Sequence, residues 1–352
     1  MDRDIQLDIY RAIVMMHIVC IIHLVTFLHF YFEPFMSIVL FEMPAIFFIA
    51  GASMSYQKRR KGIGEMIRNR FERVVIPYFI YVFVMLVLLA LLSFIWHFFY
   101  PQVESLKDGY FTRKFAFDIT EYTWYDVLQI IRCEDIPQSP YVYHLWFIPV
   151  YLILTCTFPI QTILMQKVNR WIYIAISIAL FIMVVLFTDN RFVRNVFCYN
   201  VFFVGGYLFY KKLDLRHIYL IGASALVVVL IYLYQLGDFI PMHSHKFPAD
   251  LLFLSYNIVV LCLFSLIFGR VRLPNLCIFQ IWNKHGYSIY LYHSFILFFV
   301  FIFLVLLFQR FEDRVVQLIC CIPLMFVLST AFSFLTYKLE CKVLSVYKGR
   351  NL

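Results

Sequence analysis

Apolar positions in this chain gather into ten long runs, at about 10–32, 35–55, 74–99, 143–165, 171–188, 195–210, 217–235, 250–269, 286–308 and 315–337, with polar connectors between them. Roughly 17 to 25 apolar residues is the length an α-helix needs to cross the hydrocarbon layer of a bilayer. The pattern therefore predicts an all-α, polytopic integral membrane bundle of about ten transmembrane helices, built as a single domain over residues 1–352.

Composition agrees with that pattern. The chain is 63% hydrophobic and 20% aromatic with only 14% charged residues, and its mean hydropathy is +0.82. Soluble domains average about 45 to 50% apolar and about 25% charged, so the excess apolar surface is expected to face lipid. The first run follows MDRDIQLDIYR directly and is too long for the apolar core of a signal peptide, so it is expected to remain as a span.

Net charge adds an orientation. The formal charge is +9, which suits nucleic acid or a cytoplasmic membrane face. With the N-terminus inside, the cytoplasmic segments hold 21 of the 30 Lys and Arg residues and the outer segments hold 9. Lys and Arg collect in cytoplasmic loops, so the expectation is an inner-membrane protein with both termini cytoplasmic and no nucleic-acid partner. The outer connector at about 100–142 carries seven acidic residues and the cluster YTWY at 122–125, and is expected to form a small extracytoplasmic cap. The inner connector YQKRRKGIGEMIRNRFERVVIPYF is strongly basic and runs straight into the third span. Nine cysteines are scattered without CxxC or Cys/His spacing, so neither a disulfide framework nor a zinc site is expected.

The first run contains RAIVMMHIVCIIHLVTFLH, with His17, His23 and His29 six residues apart. Six residues separate side chains by roughly 9 Å along a helix and about 240° around it, so the three cannot share one metal ion. His29 lies near the outer end, where an aromatic side chain with a polar tip suits the interface. His23 lies about 18 Å along the helix from Arg11, past the bilayer middle. It is either a neutral histidine satisfied inside the bundle or a general base, because burial lowers an imidazole pKa from near 6.5 and keeps the ring proton-accepting. The same alternatives hold for His17. Glu42, just before Met43-Pro44 inside the second span, must be protonated or paired, either orienting a histidine or bonding to another helix.

Four further stretches belong with these: MPAIFFIAG (43–51), RNRFERVVIPY (68–78), HLWFIPVYL (144–152) and GYSIYLYHSFIL (286–297). With LDIYRA (7–12) before the histidine-bearing first run, they resemble the membrane-bound acyltransferase 3 family over essentially the whole chain. The resemblance implies transfer of an acyl group, commonly acetyl from acetyl-CoA on the cytoplasmic side, to a hydroxyl or amine of an envelope glycan or its lipid-linked precursor. Acyl-CoA would be a co-substrate, and no permanently bound cofactor is implied. Matched residue by residue, the functional positions are Arg11 and His23 on the first span and Arg68, Arg70 and Arg73 before the third. His144 and His293 fall in family-like strings and either contact substrate or pack helices.

The family typically places ten residues between that arginine and histidine, whereas eleven lie between Arg11 and His23. Ten put the pair about 20° apart around a helix and eleven about 120° apart, unless a π-bulge absorbs the extra residue. Otherwise Arg11 would serve better as an interface anchor. The residue types themselves suit the chemistry. Guanidinium groups bind the phosphates of coenzyme A in bidentate fashion while staying charged, although a positive-inside anchor also accounts for a basic connector. An attacking hydroxyl must lose its proton, which calls for a base such as His23, while an acyl-histidine intermediate is a second route. The competing class is a transporter or flippase, for which buried histidines and Gly205-Gly206 would also serve. Transporters often show internal repeats, and none is evident here.

Overall fold

The computed structural model describes residues 4–27, 33–56, 63–99, 123–132, 142–237, 241–269, 271–308 and 314–347. Among these residues the chain forms helices and no strand. Helix α1 runs from Ile5–His17 through a π-helical turn, Ile18–His23, into Leu24–Phe27. A short helix α2 (Phe35–Val39) precedes α3 (Glu42–Ser55). Helix α4 is also composite: Ile63–Arg70, a π-helical turn Phe71–Val75, then Ile76–Phe99. There follow α5 (Trp124–Ile131), α6 (Phe147–Lys167), α7 (Arg170–Phe187), α8 (Arg191–Phe209), α9 (Leu215–Leu236), α10 (Met242–Lys246), α11 (Leu251–Phe268), α12 (Cys277–Phe308) and α13 (Arg314–Tyr347).

Nine segments among the described residues are long and apolar enough to cross a membrane, and they fall on nine of the ten apolar runs of the sequence. The remaining run, 286–308, forms the C-terminal part of α12. The chain is therefore a multi-pass, all-α membrane protein.

Local chemistry sets where the helices begin. Asp4, Asn169, Asn190, Asp214 and Asp250 each place a side-chain oxygen on a first-turn amide of the helix that follows. Such caps satisfy donors that have no intrahelical partner, at about 1 kcal/mol each. Pro44 sits in the first turn of α3, where a missing amide costs nothing. Pro77 lies deeper, inside the continuous helix α4. Its ring has no N–H to offer the carbonyl of Arg73 and would crowd that carbonyl in a regular α-helix. The π-helical turn ends at Val75, just before this proline, and the Tyr287 hydroxyl donates to the Val74 carbonyl at 3.0 Å.

The described chain packs as two compact units, the first comprising Met1–Thr26, Tyr31–Gly62 and Ile153–Lys284. Its closest packing is between α3 and α8. A Cβ added at Gly51 would lie 1.8 Å from the Phe203 carbonyl oxygen, and one added at Gly206 would lie 1.9 Å from that of Phe48. The two backbones touch because these positions carry no side chain, a common solution where lipid supplies no hydrophobic drive between helices. Beside them Phe47 stacks on Tyr199 with ring centroids 4.7 Å apart.

The second unit comprises Phe27–Phe30, Ile63–Leu152 and His285–Leu352. Much of the connector expected as an outer cap, residues 100–122 and 133–141, lies outside the described residues. Its described helix α5 is opened by a reciprocal capping box between Thr123 and Asp126 and exposes Trp124 and Tyr125. At its far end the Ile130 carbonyl accepts a hydrogen bond from Tyr78 near the start of the apolar part of α4. The turn that follows is buried too, with Val142, His144 and Leu145 fully inaccessible. These described parts of the connector pack against helices of the second unit.

Candidate active site

In the first unit the Arg11 guanidinium joins three helices. Its Nη1 donates to Asp8 Oδ1 at 3.0 Å and to Asn283 Oδ1 at 2.9 Å, and its Nη2 donates to the Ser53 hydroxyl. The Ser53 hydroxyl in turn donates to the Ile49 carbonyl at 2.7 Å. A fork of fixed donors can engage α1, α3 and α12 together, which the single point charge of lysine cannot.

The π-helical turn Ile18–His23 lies between Arg11 and His23. A π turn takes up one residue more than an α turn, so the twelve steps from Arg11 to His23 rotate as about eleven, leaving the two about 20° apart around the axis. The extra residue is thereby absorbed and the pair shares a face. His23 closes the π turn and is buried, with 9% of its surface exposed.

His17 is engaged differently. Its Nε2 lies 2.9 Å from the Val39 carbonyl, so this nitrogen carries the proton, and its ring stacks on Phe41 at 4.8 Å. It stabilises the break between α2 and α3, where Tyr256 also donates to the Ile38 carbonyl at 2.6 Å.

Glu42 opens α3 and is 1% exposed. Its Oε1 accepts from Lys246 on α10, itself 5% exposed. The pairing to another element is thus realised, and Lys246 is its buried cation. Phe247 beside it carries the Arg191 guanidinium 4.1 Å from its ring centroid. Next to this pair, His245 Nδ1 meets Asp250 Oδ2 at 2.5 Å.

The second unit holds the arginines that precede the third span. Arg68 pairs with Glu72 at 3.0 Å while 73% of its side chain is exposed, an arrangement worth about 0.2 to 1 kcal/mol. Arg70 donates to the Tyr151 hydroxyl at 3.1 Å and lies 5.8 Å over the same ring. Arg73 is exposed and lies within electrostatic reach of Tyr337. The basic residues 58–61 and His29 lie outside the described residues.

His144 and His293 come together in this unit. Both are buried, at 0% and 1% exposure, with rings edge to face at 4.6 Å. His293 Nδ1 lies 2.6 Å from the Tyr290 carbonyl, which places the proton on Nδ1 and the lone pair on Nε2. The Tyr290 hydroxyl in turn donates to the His144 carbonyl. An aromatic chain, Tyr151 to Phe147 to Tyr290, with successive centroids 5.4 Å apart, connects the ring under Arg70 to the histidine pair.

Arg11, His17, His23 and Glu42 thus belong to the first unit, and Arg68, Arg70, Arg73, His144 and His293 to the second. Asn283, Ser53, Lys246 and Tyr151 were not singled out from sequence. Asn283 lies 272 positions from Arg11 and Lys246 lies 204 from Glu42, separations that no local pattern reports. No group of three or more His, Cys, Asp or Glu residues is arranged to hold a metal ion among the described residues.

Comparison with known proteins agrees with the arrangement of motifs. No curated protein and no solved structure matches the chain. The family model Acyl_transf_3, described as an acyltransferase domain, matches residues 4–338 and so spans both units and every residue considered above. The chain belongs to the acyltransferase 3 family and is a multi-pass membrane acyltransferase.

Proposed function

We propose that this acyltransferase uses acyl-CoA, acetyl-CoA first, and delivers the acyl group to a hydroxyl or amine of an envelope glycan or its lipid-linked precursor, with His23 as general base. The observation that carries the assignment is the π-helical turn, which puts Arg11 and His23 on one face despite the extra residue. π-bulges inside α-helices occur frequently at functional sites.

In the proposed reaction the acceptor oxygen attacks the thioester carbonyl while its proton passes to the ring of His23. The carbon–sulfur bond then breaks and coenzyme A leaves as the thiolate, which recovers the proton. A positioned base contributes typically 10² to 10⁴-fold. Arg11 holds the helix that carries His23, and Arg68, Arg70 and Arg73 supply fixed positive charge for the phosphates of the donor. The inner membrane, with both termini in the cytoplasm, is the location this chemistry needs and the one that the distribution of Lys and Arg supports.

The test is transfer of label from radioactive acetyl-CoA into the glycan fraction of membranes containing wild type or His23→Ala. The expected result is loss of transfer by a protein that still folds and inserts into the membrane. Full transfer by His23→Ala would remove this residue from the mechanism.

A further inference from the structure

The second unit contains a buried polar stripe that the proposed mechanism leaves unused. On α13, Ser329, Ser333, Thr336 and Glu340 recur at helical spacing and are exposed by only 3%, 1%, 4% and 4%. On α12, His285, Ser288 and Tyr292 are likewise buried, at 5%, 2% and 2%. The stripes are joined by the Ser288 hydroxyl donating to Glu340 Oε2 at 2.6 Å and by His285 Nδ1 lying 3.3 Å from the Ser333 hydroxyl.

Besides the Ser329 hydroxyl, two atoms of this stripe make no hydrogen bond among the described residues: Glu340 Oε1 and the Tyr292 hydroxyl. They are related in space, because Tyr292 follows Ser288 by one turn on the same face of α12 and feels the charge of Glu340. Leaving a buried polar atom unpaired costs roughly 1 to 3 kcal/mol, so two together mark a place where hydrogen-bonding groups are missing. Tyr337, one turn before Glu340, stacks on His285 at 4.3 Å and lies within electrostatic reach of Arg73. An exposed cation therefore stands beside a buried row of neutral hydroxyls and one carboxyl.

We infer that this stripe is the subsite for the pantetheine arm of coenzyme A, with Glu340, Ser288 and Tyr292 bonding its amides and hydroxyl while Arg73 meets its phosphates. The inference rests on the acyl-CoA reading above and extends it to Glu340, outside the family-like strings, and to Ser288 and Tyr292 within the last of them. The arm carries two secondary amides and one hydroxyl, so it can donate to one vacant oxygen and accept from the other. A lipid would bring its phosphate to the arginine but only alkyl chain to the stripe, leaving both atoms unpaired.

The test is calorimetric binding of coenzyme A and of adenosine 3′,5′-bisphosphate, which lacks the arm, to the full-length protein in detergent, for wild type, Tyr292→Phe and Glu340→Gln. Wild type is expected to bind coenzyme A more tightly than the bisphosphate. Tyr292→Phe should weaken coenzyme A about 3- to 10-fold, the equivalent of one hydrogen bond, and leave bisphosphate binding unchanged. A hydroxyl that served only packing would leave the affinity for coenzyme A unchanged in Tyr292→Phe. Equal affinity of wild type for the two ligands, or coenzyme A binding untouched in both variants, overturns the subsite and leaves the donor reading standing. Binding of neither ligand by folded wild type overturns the donor reading itself, and the subsite with it.

Discussion

Gly206 on α8 lies against the Phe48 carbonyl of α3 so closely that a Cβ there would come within 1.9 Å of the oxygen. Gly206→Ala must push two helix backbones apart, and overpacking of this kind costs about 1 to 3 kcal/mol or more. The expected outcome is a lower melting temperature in detergent and a reduced folded yield. The neighbouring Gly205→Ala is the control, because its Cβ would meet only the Phe48 ring at 3.9 Å. Thermal unfolding of the two variants side by side checks this.

The π-helical turn in α1 makes a prediction about chain length. Deleting Cys20 from the turn should convert it to α-helix and leave the face of Arg11 and His23 unchanged, so the deletion variant folds and keeps activity. Inserting one alanine after Cys20 should instead swing His23 by about 100° and abolish transfer. The labelled acetyl-CoA assay, run on both variants with circular dichroism for fold, decides the outcome.

Glu42 and Lys246 form a buried ion pair, for which loss of one partner is worse than loss of both. Glu42→Ala leaves the ammonium of Lys246 uncompensated and is expected to destabilise by about 3 to 5 kcal/mol. The double change Glu42→Gln, Lys246→Met should recover most of that stability. Chemical denaturation in mixed micelles of the single and double variants measures the difference.

Arg11→Lys keeps the charge and loses the fork. Bonds to Asn283 and Ser53 cannot both be kept, and a bond to a charged donor is worth about 1.5 to 3 kcal/mol. A melting temperature several degrees lower is expected, with transfer reduced even where the protein remains folded.

Asp4 caps α1 and also accepts from Lys211 at 2.7 Å and from the Tyr210 hydroxyl at 3.1 Å. Burial works to raise its pKa, but the Lys211 bond and charge, the Leu7 amide and the Tyr210 hydroxyl together hold the carboxyl below its ordinary 3.8. A lowered folded-state pKa gives stability that is present above 3.8 and lost as pH falls through the folded value. Asp4→Asn, which keeps the cap, should therefore be less stable than wild type at neutral pH, and the gap should close under strongly acidic conditions. Melting curves across pH test it.

Hydropathy located the spans well, because lipid contact is a demand on composition that each segment meets by itself. It placed helix ends poorly, and for a physical reason. Helix α4 begins at Ile63 rather than near 74, α12 at Cys277 rather than 286, and α13 continues to Tyr347. The added turns interrupt the apolar run with charged and amide residues such as Arg68, Arg70, Gln280, Asn283, Lys338 and Lys342, so the apolar runs stop where lipid contact stops while the backbone hydrogen bonds continue. Arg11, His23 and Arg70 are candidates drawn from motif, and the π-helical turn between the first two is legible in sequence only as a mismatch in spacing. Partners such as Lys246 depend on chain segments far apart in sequence, whose meeting no local pattern encodes.

Pro77 gives α4 a mechanical property. Arg68 lies nine residues ahead of it, about 13 Å along the axis. Every ten degrees of bending at the proline would sweep that arginine about 2 Å sideways, with no i−4 bond at Pro77 to resist the motion. The helix is a lever with its fulcrum at Pro77, and the arm that carries all three of the cations assigned to the donor is tethered by the Arg70–Tyr151 and Tyr287–Val74 bonds.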